Sequence, residues 1–192
     1  MAVRTDARDR MLRTAATLFR AQGYHATGLN QVLAESGAPK GSLYFHFPGG
    51  KEQLAAESIE LAGAELCSAI RAALASTADP AGALEHVLAL LGDHLVTSGF
   101  RDGCPVATVA LDAAAGSEPI RTACVGAYDS WQSLMADHLR AAGIPSADEL
   151  ATVLLAAIEG AVLLARTRHD LAPLHAVGTR LRILLDYGRS SK

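Results

Sequence analysis

Apolar positions along this chain recur every three to four residues and are interrupted at glycine and proline, the period of helices buried on one face. Between about Asp6 and Gln22 the buried stripe is Met11, Leu12, Ala15, Ala16, Leu18 and Phe19, with Arg8, Arg13 and Arg20 largely outside it. Gly23 is placed to end that helix. Thr27 is expected to cap a second helix, with Leu29, Val32 and Leu33 inward and Asn30 and Gln31 outward, and Gly37 closes it. Pro39 suits a third helix start, where its missing N–H costs nothing. That helix, Lys40 to Phe47, spans about two turns before Pro48-Gly49-Gly50 stops it. Leu43 to Phe47 also alternates like a strand, but no second strand lies nearby to pair with it.

Lys51 opens a long helix to about Ser76, with Leu54, Ile59, Leu61, Leu66 and Ile70 as its apolar contacts. Thr77-Ala78-Asp79-Pro80 is a turn and a fresh start for a fifth helix, to about Val96. Ser98 to Pro105 reads as a loop, and Val106 to Ala114 as a short helix. Gly116-Ser117-Glu118-Pro119 breaks it, and a long helix follows to about Ala142. Gly143-Ile144-Pro145-Ser146 is another turn, with Ser146 as the expected cap. Two final helices cover about Ala147–Arg168 and Leu171–Tyr187. The pattern predicts an all-α fold of about nine helices. A three-helix domain at 1–50 is joined by the long helix to a larger helical domain at 51–192.

Composition agrees: half of the 192 residues are hydrophobic and only 5% are aromatic, which favours helices over sheets. The longest apolar run, Leu150 to Ala165, is interrupted by Glu159, so no membrane helix is expected. The N-terminus has no apolar signal segment. Cys67, Cys104 and Cys124 are far apart and odd in number, which fits neither a disulfide framework nor a zinc spacing. The seven histidines form no chelating pattern. The expectation is a cytoplasmic protein with no metal and no cofactor. No nucleophile–base pattern, phosphate loop or telling carboxylate pair marks it as an enzyme.

Charge is unevenly spread. Residues 1–51 hold seven Lys/Arg (Arg4, Arg8, Arg10, Arg13, Arg20, Lys40, Lys51) against three acids (Asp6, Asp9, Glu35), a net of +4. The remaining ten bases and seventeen acids give −7. A basic end on an acidic chain is the footprint of phosphate binding. Residues 23–54 then read as two short helices joined by a tight turn, a break, and a long helix. This is the layout of a helix-turn-helix, whose second helix enters the major groove of DNA. A glycine-turned helix pair also occurs in all-α proteins that never touch DNA.

Gly23-Tyr24, Thr27, Val32, Gly37, Lys40-Gly41-Ser42-Leu43-Tyr44, Phe47, Lys51 and Leu54, in this order of helices and breaks, resemble the TetR/AcrR family of bacterial transcription regulators. Gly103-Cys104-Pro105, Ile158-Glu159-Gly160-Ala161, Arg166 and Pro173-Leu174 resemble its LmrA/YxaF-like branch. Pro39 departs from the family pattern, since many relatives carry serine there; a proline side chain can neither cap the helix nor hydrogen-bond a phosphate. The resemblance implies a ligand-responsive regulator, with a four-helix dimer bundle formed by the last two helices.

For DNA, Lys40 is the best fit to a base edge, because a Lys donor matches guanine O6 and N7. Gly41 permits close approach and Ser42 can donate or accept. Thr27, at a helix start, and Lys51 suit phosphates. Gln31 is placed to reach a base or a phosphate. Tyr44 is expected to pack its ring and turn its hydroxyl outward, and Phe47 to pack inside. His46 is either a contact or solvated. Specific affinity requires more contacts than one head offers, so a homodimer on a palindromic double-stranded operator is expected. Ala156, Ala157, Gly160, Ala161 and Leu164 form a small-residue face suited to that dimer, or to monomer core. For a small-molecule effector the lining candidates are Trp131, Leu134, Met135 and His138 at helical spacing, then Cys104, Val109 and Asp112. A Trp/Leu/Met stripe such as Trp131, Leu134 and Met135 is more often plain core. Glu159, an acid within an apolar run, is costly to bury unless it is paired. It fits a cationic ligand, a bond across the dimer, or a polar partner such as His138. Two rivals stay open: a helical carrier or small enzyme without DNA binding, and a regulator of opposite sign.

Overall fold

The computed structural model describes residues 2–39 and 41–190. Among the described residues there are helices and turns but no strands. The helices are α1 (Ala2–Gln22), α2 (Leu29–Ser36), α3 (Leu43–His46), α4 (Gly50–Ala75), α5 (Pro80–Thr97), α6 (Ala107–Ala113), α7 (Glu118–Ala141), α8 (Ala147–Arg168) and α9 (Ala172–Ser190).

The chain packs as two units, and the division falls inside α4 and α7 rather than at residue 50. Residues 1–65 and 105–127 form one unit; residues 66–104 and 128–192 form the other. In the first unit α1 packs on both α2 and α6. Its core is built from Met11, Ala15, Phe19, Val32, Leu54, Ile59, Val106, Val109 and Ile120. In the second, α9 packs on α5 and α8. Leu84, Leu95, Met135, Leu139, Leu154, Ile158, Leu174, Leu181 and Leu185 lie in one continuous core. Gly178 lets α5 and α9 close together, because a Cβ there would lie 2.7 Å from Leu88 Cδ1.

Local chemistry departs from expectation at three helix starts. The cap of α2 is Gly28, with no side-chain bond, not Thr27. The Thr27 hydroxyl is instead buried and donates 2.7 Å to the Gly23 carbonyl, the back-bond a threonine can offer in place of a cap. The third helix is shorter than expected. Ser42 N and Oγ both donate to the Pro39 carbonyl, at 2.9 and 2.7 Å, closing a turn before Leu43. Ser146 holds the N-cap position of α8 as expected, but at φ +51 its side chain makes no cap bond. At the start of α5, by contrast, the Asp79 carboxylate accepts from Gly82 N at 3.0 Å. By length and composition α8 could cross a membrane. Here it lends Ala151, Leu154, Ile158, Ala161, Val162 and Ala165 to the core of the second unit.

Candidate nucleic-acid interface

Leu43 and Phe47 are four residues apart, so both fall on one side of the α3 turn. They are 1% and 0% exposed, anchoring the helix in the first unit. That period forces Tyr44, Phe45 and His46 the other way. Tyr44 is 65% exposed and Phe45 62%, and His46 is half-buried. The Phe45 and His46 rings meet edge to face at 5.0 Å. The Tyr44 ring lies over Gly50, whose Cβ position would be 3.6 Å from Cε1. Gly41 is exposed beside this edge. Lys40, the expected base reader, lies outside the described residues. Phe45 was missed from the sequence, although the burial of Leu43 and Phe47 would have turned it outward.

The other expected DNA-binding side chains are partly committed within the unit. Thr27 is 1% exposed, and its hydroxyl also accepts from Gln22 Nε2 at 3.2 Å. Gln31 accepts from Gln22 at 2.9 Å and donates to Glu35 at 3.0 Å. The Lys51 ammonium sits 4.5 Å from the centre of the Tyr24 ring, and partial burial lowers its pKa. The basic surplus is also smaller than residues 1–51 suggest. Arg8 pairs with Glu57, and Arg13 with Asp9 at 3.0 Å and Glu65 at 2.7 Å. Counting the whole unit, residues 1–65 and 105–127 carry eight bases and nine acids, a net of −1.

The turn between α1 and α2 is held from α6, through a contact no local pattern announces. Asp112 Oδ2 accepts from the Tyr24 amide at 3.0 Å, and the Asp112 carbonyl lies 3.0 Å from His25 Nε2. Gly23 has φ +85, and a Cβ on it would stand 2.4 Å from Asp112 Oδ2. Asp112 therefore braces the head rather than lining a ligand cavity. Val109, from the same helix, is fully buried in the first unit's core.

The remaining effector candidates belong to the second unit. Trp131 is 1% exposed and meets Tyr128 edge to face at 5.5 Å. Leu134 is half-buried. Met135 borders an apolar gap of about 20 Å³ with Leu84, Val87, Leu154, Ile158 and Leu185. Glu159 is bonded by Cys104, not by His138, and burial raises its pKa. His138 is instead close enough to Asp79 to feel its charge, while burial, the larger effect, lowers its pKa. His138 Nε2 and Glu159 Oε2 are buried polar atoms without a hydrogen-bond partner among the described residues. Burial pushes the Cys124 thiol up to about 11, which makes it a poor redox sensor.

Glu159 sets a pH dependence. Its raised pKa means the folded state keeps the proton to higher pH than the unfolded chain. The stability of the neutral form is complete below the ordinary carboxylate range and is lost as pH rises through the folded value. Glu159→Gln, which stays neutral and still accepts from Cys104, is expected to unfold later than the parent at pH 7.5 by roughly 1 kcal/mol. The gain should vanish below about pH 4. Urea unfolding of both chains across pH checks this.

On α8, Ala156, Gly160 and Leu164 are exposed, together with Val153 and Leu163. Ala157 is half-buried. Ala161 is a correction to the expected dimer face: at 1% exposure it points into the monomer core. On α9, Ile183 and Leu184 are exposed.

Residues 11–57 match the family described as bacterial regulatory proteins, tetR family. Residues 80–180 match the transcriptional regulator LmrA/YxaF-like C-terminal domain. The chain is 37% identical to the uncharacterized HTH-type transcriptional regulator YxaF of Bacillus subtilis, over 96% of this chain and 98% of that protein. It is 40% identical to the HTH-type transcriptional regulator LmrA of the same organism, over 94% and 97%. Among solved structures it resembles a TetR transcriptional regulator from Chloroflexus aurantiacus, with a TM-score of 0.80 at 27% identity, covering 97% of both chains. The regulatory protein TetR from Rhodobacter sphaeroides shares the fold, with a TM-score of 0.84 at 24% identity, covering 92% of this chain and 97% of that one.

Proposed function

Because the chain belongs to the TetR family of bacterial transcriptional regulators, in its LmrA/YxaF-like branch, we propose that it is a cytoplasmic dimeric repressor. It binds a palindromic operator and is released by a small, mostly apolar effector. The observation that carries the DNA reading is the outward edge of α3, with Tyr44 and Phe45 exposed and His46 half-buried beside them, fixed from behind by Leu43 and Phe47. Gly41, Ser42, Tyr44 and His46 are the proposed base-edge contacts, and by residue type Lys40 joins them. Lys51 and Gln31 hold phosphates, and at Thr27 the neighbouring backbone amides do so, since its hydroxyl is occupied.

Dimerisation is supported by the apolar surface of α8. Val153, Ala156, Gly160, Leu163 and Leu164 recur every three to four residues, so they form one stripe suited to close helix packing. The exposed Ile183 and Leu184 on α9 supply a second apolar strip. Two heads on one dimer double the contacts and impose two-fold symmetry on the operator.

For the effector, Cys104, Leu134, Met135, His138 and Glu159 are the proposed contacts. Support comes from the two buried polar atoms of His138 and Glu159 that lack partners. The 20 Å³ gap beside Met135 holds no more than about one water, so effector binding must open it. The effector lowers operator affinity only through its different affinity for the two states, a coupling of typically about 1–3 kcal/mol. α4 runs from Lys51 into the second unit and, like α7, is continuous across the division. An effector that binds while leaving operator affinity unchanged would defeat this mechanism.

Lys51→Gln is expected to lower operator affinity about tenfold at physiological salt. The log–log salt slope should fall by about 2, because a dimer loses two phosphate contacts at about 0.9 each. Fluorescence anisotropy over a salt series measures both. Charge reversal at Lys40 and Lys51 together separates a regulator from a carrier: operator binding is abolished, while a carrier's ligand affinity stays intact.

A further inference from the structure

We infer that Phe45 reads the C5-methyl group of a thymine in each operator half-site. The inference rests on the operator-binding reading above and adds a specificity-determining residue to it.

Phe45 is one of four phenylalanines in a chain with few aromatics. Phe19 and Phe47 are buried, and Phe100 is half-buried. Phe45 alone among them is strongly exposed, at 62%, and it is exposed on the short helix that carries the candidate reading edge. Leaving so large a ring in water forgoes the free energy of its burial, which a contact on DNA would recover. Leu43 and Phe47 fix the turn of α3 from behind, so the ring's direction is set by the core. The edge-on His46 ring at 5.0 Å supports it from one side.

The chemistry of the ring narrows its target. Phenylalanine has no donor or acceptor, so it cannot hydrogen-bond a phosphate or a base edge. In the major groove the protruding apolar group is the thymine methyl; cytosine has only hydrogen at that carbon. Tyr44 beside it has a hydroxyl and can form polar contacts, so the two rings take different tasks. Phe45 thus distinguishes A·T from G·C at one position without a hydrogen bond.

The test replaces each thymine of a selected operator in turn with deoxyuridine, which pairs identically but lacks the methyl group. The full-length protein and its Phe45→Ala variant are titrated against every duplex. The parent is expected to lose roughly fivefold to tenfold at one thymine per half-site. Phe45→Ala should bind the thymine operator more weakly and lose less than twofold from the same replacement. Phe45→Leu, which keeps an apolar surface, should retain part of the parent's sensitivity. The residue is exposed, so the core should survive the change, and circular dichroism of each variant checks folding. Equal losses in parent and Phe45→Ala at every position would overturn the inference, as would a parent insensitive to all replacements. A parent that prefers no duplex sequence would overturn the operator reading together with it.

Discussion

Gly23→Ala is expected to destabilise the protein by about 2 kcal/mol and to abolish specific operator binding. Two costs add. An alanine at φ +85 carries a strain of order 1 kcal/mol. Its Cβ would also lie 2.4 Å from Asp112 Oδ2, so the carboxylate must swing away. That swing breaks the 3.0 Å bond from the Tyr24 amide, worth roughly 1 kcal/mol. The turn so loosened joins α1 to α2, and the Tyr24 ring beneath the Lys51 ammonium shifts with it. Urea unfolding gives the first number and anisotropy on the operator the second. Asp112→Ala isolates the two costs: in that background Gly23→Ala should cost only the backbone strain. An unchanged penalty there would mean that Asp112 does not brace the turn.

Trp131→Ala should cost about 3–5 kcal/mol and lower Tm by roughly 10 °C. The indole is 1% exposed and stands edge-on to Tyr128, so its removal leaves a void that surrounding helices cannot fill without moving. Trp131→Phe should fall between the two. The result also decides between the two readings of this residue. A tryptophan lining an effector cavity would lose little stability on truncation and would change effector affinity instead. A core tryptophan does the reverse. Thermal unfolding followed by circular dichroism supplies the answer.

Most of the helical framework was legible because each helix must bury one face and must stop where glycine or proline raises its cost. The bounds of α8, Ala147 and Arg168, were readable directly from the apolar period and the turns around it. What failed was local polar chemistry with more than one solution. A threonine hydroxyl can cap forward or bond back to a carbonyl, and Thr27 bonds back to Gly23. A serine before a helix need not use its hydroxyl as a cap, and Ser146 makes no side-chain cap bond to α8. Ser42, expected inside the third helix, closes a turn on Pro39 before it. Contacts distant in the chain left no local trace: Asp112 and Tyr24 are 88 residues apart, so the acid read as a cavity residue. Charge misled for the same reason. A cut at residue 51 leaves out Glu57 and Glu65, which fold back onto Arg8 and Arg13. At the reading edge the Tyr44 ring was expected to pack, yet the residue is 65% exposed, because the buried Leu43 and Phe47 turn both it and Phe45 outward.

The central claim is that this protein reads a two-fold symmetric DNA sequence through α3. Selection of random duplexes by the purified protein, followed by affinity against salt, tests it most directly. An enriched palindrome bound with a steep negative salt slope is the predicted result. Weak, salt-sensitive binding with no enriched sequence would contradict it, and would leave the helix-turn-helix as a scaffold for the helical domain alone.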